Sequence, residues 1–152
     1  MIGRSEEIAL LREQAEADRS RFVVVYGRRR VGKTFLVREA FGYRFTFTHT
    51  GAEHATLAEQ LAQFRQSLAV QGFEDCPMPT DWIEAFGLLK KLIMRSSDKR
   101  KVLFIDELPW MDTPKSRFLP AFENFWNGWC SSRTDILLIV CGSATSWIVK
   151  KV

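Results

Sequence analysis

The chain has 152 residues, and 22 Lys plus Arg against 18 Asp plus Glu leave a net charge of +4. With 46% hydrophobic and 26% charged residues it has ordinary globular composition and enough length for one buried core. Disorder is excluded, and the charge excess is too small to imply nucleic acid by itself. The longest apolar run, Ile136 to Cys141, is too short for a bilayer; no secretory leader precedes Glu6 and Glu7; and Cys76, Cys130 and Cys141 lack metal-ligand spacing, so a cytoplasmic protein without zinc, disulfides or membrane contact is expected.

Ser5 can cap a first helix with Glu6 and Glu7 in its first turn and Ile8, Leu11 and Ala15 on one face. Phe22 to Tyr26 is a continuous apolar, β-branched run, as expected of a strand buried on both faces. A glycine-punctuated loop follows. Phe35, Leu36 and Val37 then open a helix that stops near Gly42, and Tyr43 to Thr48 alternates ring and polar residues like a second strand. Leu57, Leu61, Phe64 and Leu68 repeat at helical spacing from Thr56 to Val70.

Gly72 to Thr80, with Pro77 and Pro79, reads as a loop. Asp81 and Glu84 have capping-box spacing for a helix expected to bury Ile83, Phe86, Leu89 and Ile93. Val102 to Ile105 is a third strand. Phe118, Phe122, Phe125, Trp126 and Trp129 mark another helix, with Pro120 tolerable only in its first turn. Ile136 to Cys141 is a fourth strand, after which Ser143 or Thr145 can cap a closing helix through Trp147. Helices between apolar strands predict a three-layer α/β fold, a mostly parallel sheet with helices on both faces.

One motif dominates. Gly27-Arg28-Arg29-Arg30-Val31-Gly32-Lys33-Thr34 matches the P-loop pattern G-x-x-x-x-G-K-[ST] between a predicted strand and a predicted helix. Gly27 and Gly32 allow close backbone approach, so that successive N–H groups form an anion nest at the helix N-terminus, continued by Phe35. Lys33 supplies a point charge for the β- and γ-phosphates, and the Thr34 hydroxyl is a hard oxygen for Mg²⁺. A chance match in this chain has odds of roughly half a percent from average composition.

Val102-Leu103-Phe104-Ile105-Asp106-Glu107 is an apolar strand ending in two carboxylates, the Walker B pattern. An acid at the C-terminal end of a parallel strand lies in the crevice where open α/β sheets bind ligands. Asp106 is expected to hold Mg²⁺ opposite Thr34, and Glu107 to orient or deprotonate an attacking water.

With these motifs the chain resembles the N-terminal part of an AAA+-related P-loop ATPase, and more narrowly the archaeal and bacterial ATPase family of the STAND group. Its arginine-rich P-loop is similar to Gly27 through Thr34. The opening Ile2-Gly3-Arg4-Ser5-Glu6-Glu7 resembles the family's G-R-x-x-E segment, which implies that Gly3 and Arg4 lie beside the adenine. Val140-Cys141-Gly142-Ser143 resembles its sensor-1 strand, which implies Ser143 as the polar sensor near the γ-phosphate. The resemblance implies ATP or ADP and Mg²⁺ as cofactors. It also implies a last strand, a helical lid and a C-terminal domain beyond this incomplete core, with homo-oligomers possible.

Other readings use the same residues. The leading one is a slowly hydrolysing nucleotide switch for an attached domain. A DNA-associated ATPase of helicase-loader or transposition-helper type, a small-molecule kinase and a non-hydrolysing nucleotide scaffold are the alternatives. Lys90, Lys91, Arg95, Lys99, Arg100 and Lys101 read as a solvated basic face, the cysteines as small core hydrophobes or free thiols, and His49 and His54 as residues of a polar loop. Trp110, just past the acidic pair, is a candidate exposed or interface ring.

Overall fold

The computed structural model describes residues 4–26 and 32–142. In chain order it contains α1 (Arg4–Ala15), β1 (Arg21–Tyr26), α2 (Lys33–Ala40), β2 (Phe47–Thr50), α3 (Leu57–Val70), α4 (Trp82–Arg95), β3 (Lys101–Asp106), α5 (Phe118–Gly128) and β4 (Ile136–Gly142), with short 3-10 turns at Leu108–Met111 and Cys130–Ser132. The strands form one parallel sheet in the order β1-β4-β3-β2. After β1 the chain crosses through α2 to the far edge of the sheet, then returns strand by strand until β4 pairs with β1. All four C-terminal strand ends therefore meet along one rim.

Alternation along each strand divides the core. Leu103 and Ile105 of β3 and Leu138 and Val140 of β4 face α3, α4 and α5, whereas Val102, Phe104, Leu137, Ile139 and Cys141 face α1 and α2. On the α3–α5 side, Phe86 meets the rings of Phe64, Trp82, Phe118, Phe122 and Phe125, with centroids 5.0–6.0 Å apart. Arg12 Nε donates to the Ala40 carbonyl at 2.8 Å and ties α1 to the end of α2.

Local capping follows the expected chemistry only in part, and the complete box occurs at Thr56, where none was expected. The Thr56 hydroxyl accepts from Glu59 N–H while Glu59 accepts from Thr56 N–H, a complete capping box. Asp81 accepts from Glu84 N–H, but the Glu84 carboxylate turns to Thr80 instead of closing the box. Ser5 lies inside α1, which already includes Arg4.

Several expectations need correction. The second strand is Phe47–Thr50, later than Tyr43 to Thr48, because Gly42 and Tyr43 both take positive φ in a turn that closes α2. His49 consequently belongs to β2 and is buried, not in a polar loop. Ile83 is exposed, whereas Trp82 is buried; the inward stripe of α4 runs Trp82, Phe86, Leu89, Ile93, and Ile83 sits about 100° away from it. Phe22 to Val25 are only half-buried, since β1 is an edge strand among the described residues.

The basic segment is also less solvated than expected. Arg100 donates to the carbonyls of Thr134 and Gln14, and Lys101 pairs with Asp135, whose carboxyl the Arg133 guanidinium holds below the usual range. Phe125 stacks on Trp129, and the Lys90 ammonium and Arg133 guanidinium lie over that indole. All three cysteines are buried free thiols.

Candidate nucleotide site

The period-two rule that sends Val102 and Phe104 toward α2 sends Asp106 the same way, to the C-terminal tip of β3. Gly32, at φ 75°, precedes α2 in the left-handed conformation that glycine adopts without strain, and its carbonyl accepts the Leu36 N–H at 2.9 Å. This places Lys33 and Thr34 in the first turn of α2, directly over the rim. Lys33 is buried and Thr34 half-buried. The two halves of the predicted site meet here: Thr34 Oγ1 donates to Asp106 Oδ2 at 2.6 Å.

The other oxygen of Asp106 is occupied from two directions. Cys141 Sγ donates to Oδ1 at 2.8 Å, and the Glu107 N–H donates to the same oxygen at 2.9 Å. Burial, and then the Asp106 charge, push the Cys141 thiol well above its ordinary value, while Lys33 acts weakly in the other direction. At neutral pH the thiol is therefore an S–H donor.

Glu107 leaves the strand with φ 54°, a left-handed conformation unusual for a residue bearing a Cβ. Its neighbourhood is built around that turn. The Gly51 N–H donates to the Asp106 carbonyl at 2.9 Å, and a Cβ on Gly51 would collide with the Glu107 carbonyl oxygen. Fully buried Gln60 of α3 donates to the carbonyls of Ala52 and Trp110 and accepts from Ala52 N–H, joining the loop after β2 to the turn after Glu107.

The sequence did not single out Cys141, Gly51 or Gln60 for this site. Cys141 carried a signal in its alternation with Leu137 and Ile139, and Gln60 in being polar beside the apolar stripe of α3. Gly51 carried none. Of the remaining expected residues, Phe35 is exposed and lies off the stripe of Leu36, Val37 and Ala40. Arg4 is in the first turn of α1, but its side chain lies outside the described residues, as do Gly3, Gly27, Arg28, Arg29, Arg30, Val31 and Ser143. Trp110 is half-buried.

The donor set suits a small hard cation. A hydroxyl and a carboxylate oxygen are the ligands Mg²⁺ prefers, and that ion characteristically takes few protein ligands and completes its shell with phosphate and water. A buried lysine at a helix N-terminus adds the charge that phosphate requires.

A three-layer α/β sheet with a glycine–lysine–threonine turn facing an acidic strand tip defines a P-loop nucleoside triphosphatase fold. The chain belongs to the AAA ATPase domain family, whose model matches residues 1–123. Nucleotide binding linked to ATP hydrolysis is the general activity of that class. The chain is 26% identical over 151 residues to the uncharacterized protein MJECL04 of Methanocaldococcus jannaschii, covering 99% of this chain and 31% of that protein.

Among solved structures, the Walker-type ATPase paby2304 of Pyrococcus abyssi is similar with a TM-score of 0.68 at 20% identity, over 99% of this chain and 47% of that one. The structure of Drosophila ORC bound to AT-rich DNA and Cdc6 is similar with a TM-score of 0.53 at 10% identity, over 96% of this chain and 50% of that one. Both likenesses are likenesses of fold. The chain thus spans about a third of the M. jannaschii relative and half of each matched structure. Among the described residues, no helix is long and apolar enough to cross a membrane.

Proposed function

We propose that this chain is the nucleotide-binding core of a larger ATPase, binding ATP or ADP with Mg²⁺, hydrolysing ATP slowly and acting as a nucleotide-dependent switch for an attached domain or partner. The observation that carries this reading is the 2.6 Å hydrogen bond from Thr34 Oγ1 to Asp106 Oδ2. It brings Thr34 against the acidic strand tip, and so supports a single cation site shared by two segments 72 residues apart in sequence.

The roles follow from the chemistry of each group. The amides of residues 27–34 and the Lys33 ammonium bind the phosphate chain. Thr34 and Asp106 hold Mg²⁺, which supplies charge neutralisation for the phosphates when bound. Glu107 orients a water and accepts its proton. Ser143 serves as the polar sensor, and Gly3 and Arg4 lie beside the adenine. Placement in the STAND group rests on the Arg28–Arg30 triplet and the Gly142-Ser143 pair.

A lid, a C-terminal domain and a self-associating partner belong to the whole protein, and slow turnover by this core is expected without an arginine finger, a group worth about 10³–10⁵ in rate. The direct test is calorimetric titration of ATP and ADP with and without Mg²⁺ into the wild type and Lys33→Ala. The substitution should weaken Mg-ATP binding by about ten- to hundredfold while the fold survives, the range expected for charge-assisted phosphate contacts. Equal affinities in the two proteins would refute the phosphate-binding assignment.

A further inference from the structure

The two oxygens of Asp106 face different neighbours. Oδ2 receives the Thr34 hydroxyl, whereas Oδ1 receives the Cys141 thiol at 2.8 Å and the Glu107 N–H at 2.9 Å. We propose that Cys141 is a positioning residue: its thiol fixes the Asp106 carboxylate so that Oδ2 stays turned toward Thr34, in the orientation that receives the metal ion. This inference rests on the Mg²⁺–nucleotide reading of the same site.

Rotation of an aspartate carboxylate about its last torsion is broad and roughly twofold, so one oxygen held by one flexible hydroxyl leaves it free to swing. Donors from two further points, the neighbouring strand and the turn that follows β3, remove that freedom. Cys141 supplies one of them from β4, the strand between β1 and β3, and Glu107 supplies the other from the main chain.

Burial separates this role from the others open to a cysteine. The Cys141 side chain is excluded from solvent, so an oxidant or electrophile has no approach, and redox sensing is disfavoured. The other cysteines show what a packing thiol looks like here. Cys76 Sγ reaches no nearer than 3.5 Å to the neighbouring Pro77 carbonyl, and desolvation chiefly pushes the Cys130 thiol up to about 12. Cys141 alone among them donates to a carboxylate. A thiol also suits the apolar stripe of Leu137 and Ile139 better than a hydroxyl, because it combines a donor with a small hydrophobe.

The test uses the full chain with Cys141→Ala, Cys141→Val and Cys141→Ser, reading ATP affinity in EDTA and the Mg²⁺ concentration that half-saturates the metal-dependent gain. Loss of the donor in C141A and C141V should raise that Mg²⁺ concentration about three- to tenfold, the net scale of one ordinary hydrogen bond, since a thiol is a weak donor. Affinity in EDTA should stay within twofold, and C141S should retain the wild-type metal response. Circular dichroism identifies variants that fold, and if C141V does not, the alanine–serine pair carries the comparison.

An unchanged Mg²⁺ requirement in a folded C141A overturns the inference. So does an equal loss in alanine and serine, or an equal loss with and without Mg²⁺, each the mark of packing. Wild-type protein that binds ATP without any Mg²⁺ dependence overturns it as well, while leaving nucleotide binding intact. Wild-type protein that binds no ATP refutes the proposed function, and this inference with it.

Discussion

The two faces of the sheet are made of different material. Toward α3, α4 and α5 the interior is aromatic, with Phe47, Phe64, Trp82, Phe86, Phe118, Phe122 and Phe125 buried together. Toward α1 and α2 it is thinner and mostly aliphatic, its rings being buried Phe104 and the partly buried Phe41 and Phe45, and it ends at the rim in buried Lys33, Asp106 and Cys141. Phenylalanine rings bury large apolar area without polar atoms to satisfy, and only the Trp82 indole N–H among the rings named is buried without a hydrogen-bond partner, so the first face can supply stability that the second gives up in holding charge. The difference teaches where the molecule can be damaged without touching its chemistry.

Phe86→Ala should have the largest effect on stability. It removes the ring on which five others converge and should cost about 3–5 kcal/mol, read by urea denaturation. At a temperature where the variant is still folded, Mg-ATP affinity should be close to wild type. A cost below about 1 kcal/mol would break the contrast between the faces.

The second prediction concerns a titratable side chain within the aromatic face. His49 is buried between the rings of Phe47 and Phe64, with Nδ1 2.7 Å from the Ser67 hydroxyl and Nε2 without a hydrogen-bond partner among the described residues. Burial lowers its pKa from 6.5 to about 4. Between those values the unfolded chain binds a proton that the folded chain refuses, so stability falls as pH drops from 6.5 and levels off near 4. The loss should total about 3 kcal/mol across that window. Denaturation curves at pH 7, 5.5 and 4.5 check it, and His49→Leu should flatten the slope; an identical slope in that variant would remove His49 as the cause.

The smallest stability effect is expected where the two faces meet at the rim. Gly51→Ala forces a methyl group against the Glu107 carbonyl, and the backbone must shift to admit it. A cost of about 1–3 kcal/mol follows for such overpacking. ATP turnover should fall while Mg-ATP affinity is kept, since Glu107 moves and Thr34 does not. Unchanged turnover would separate the loop after β2 from the water-activating carboxylate.

Local chemistry made much of this legible. The buried strands, the amphipathic helices and the Asp81 cap rest on periodicity and short-range hydrogen bonding, and Thr34 and Asp106 announce themselves by motif. The misses share one cause: burial depends on neighbours that the local pattern does not name. The run from Phe22 to Tyr26 reads as doubly covered yet Phe22 to Val25 are half-buried, at an edge among the described residues; His49 reads as polar yet enters a strand, and Ile83 reads as core while its neighbour Trp82 takes that place. Arg100 reads as solvated, but distant carbonyls on α1 and ahead of β4 claim it.

By itself the amino-acid order determined the residue types at the site and the face each strand residue takes, because both follow from spacing along the chain. Only the tertiary structure decided which strands are neighbours. Inserting β4 between β1 and β3 brings Cys141 against Asp106, and the bend after β2 brings Gly51 beneath Glu107. The physical reason is that alternation specifies a direction perpendicular to the sheet, whereas lateral order comes from pairing distant segments, which no local repeat encodes.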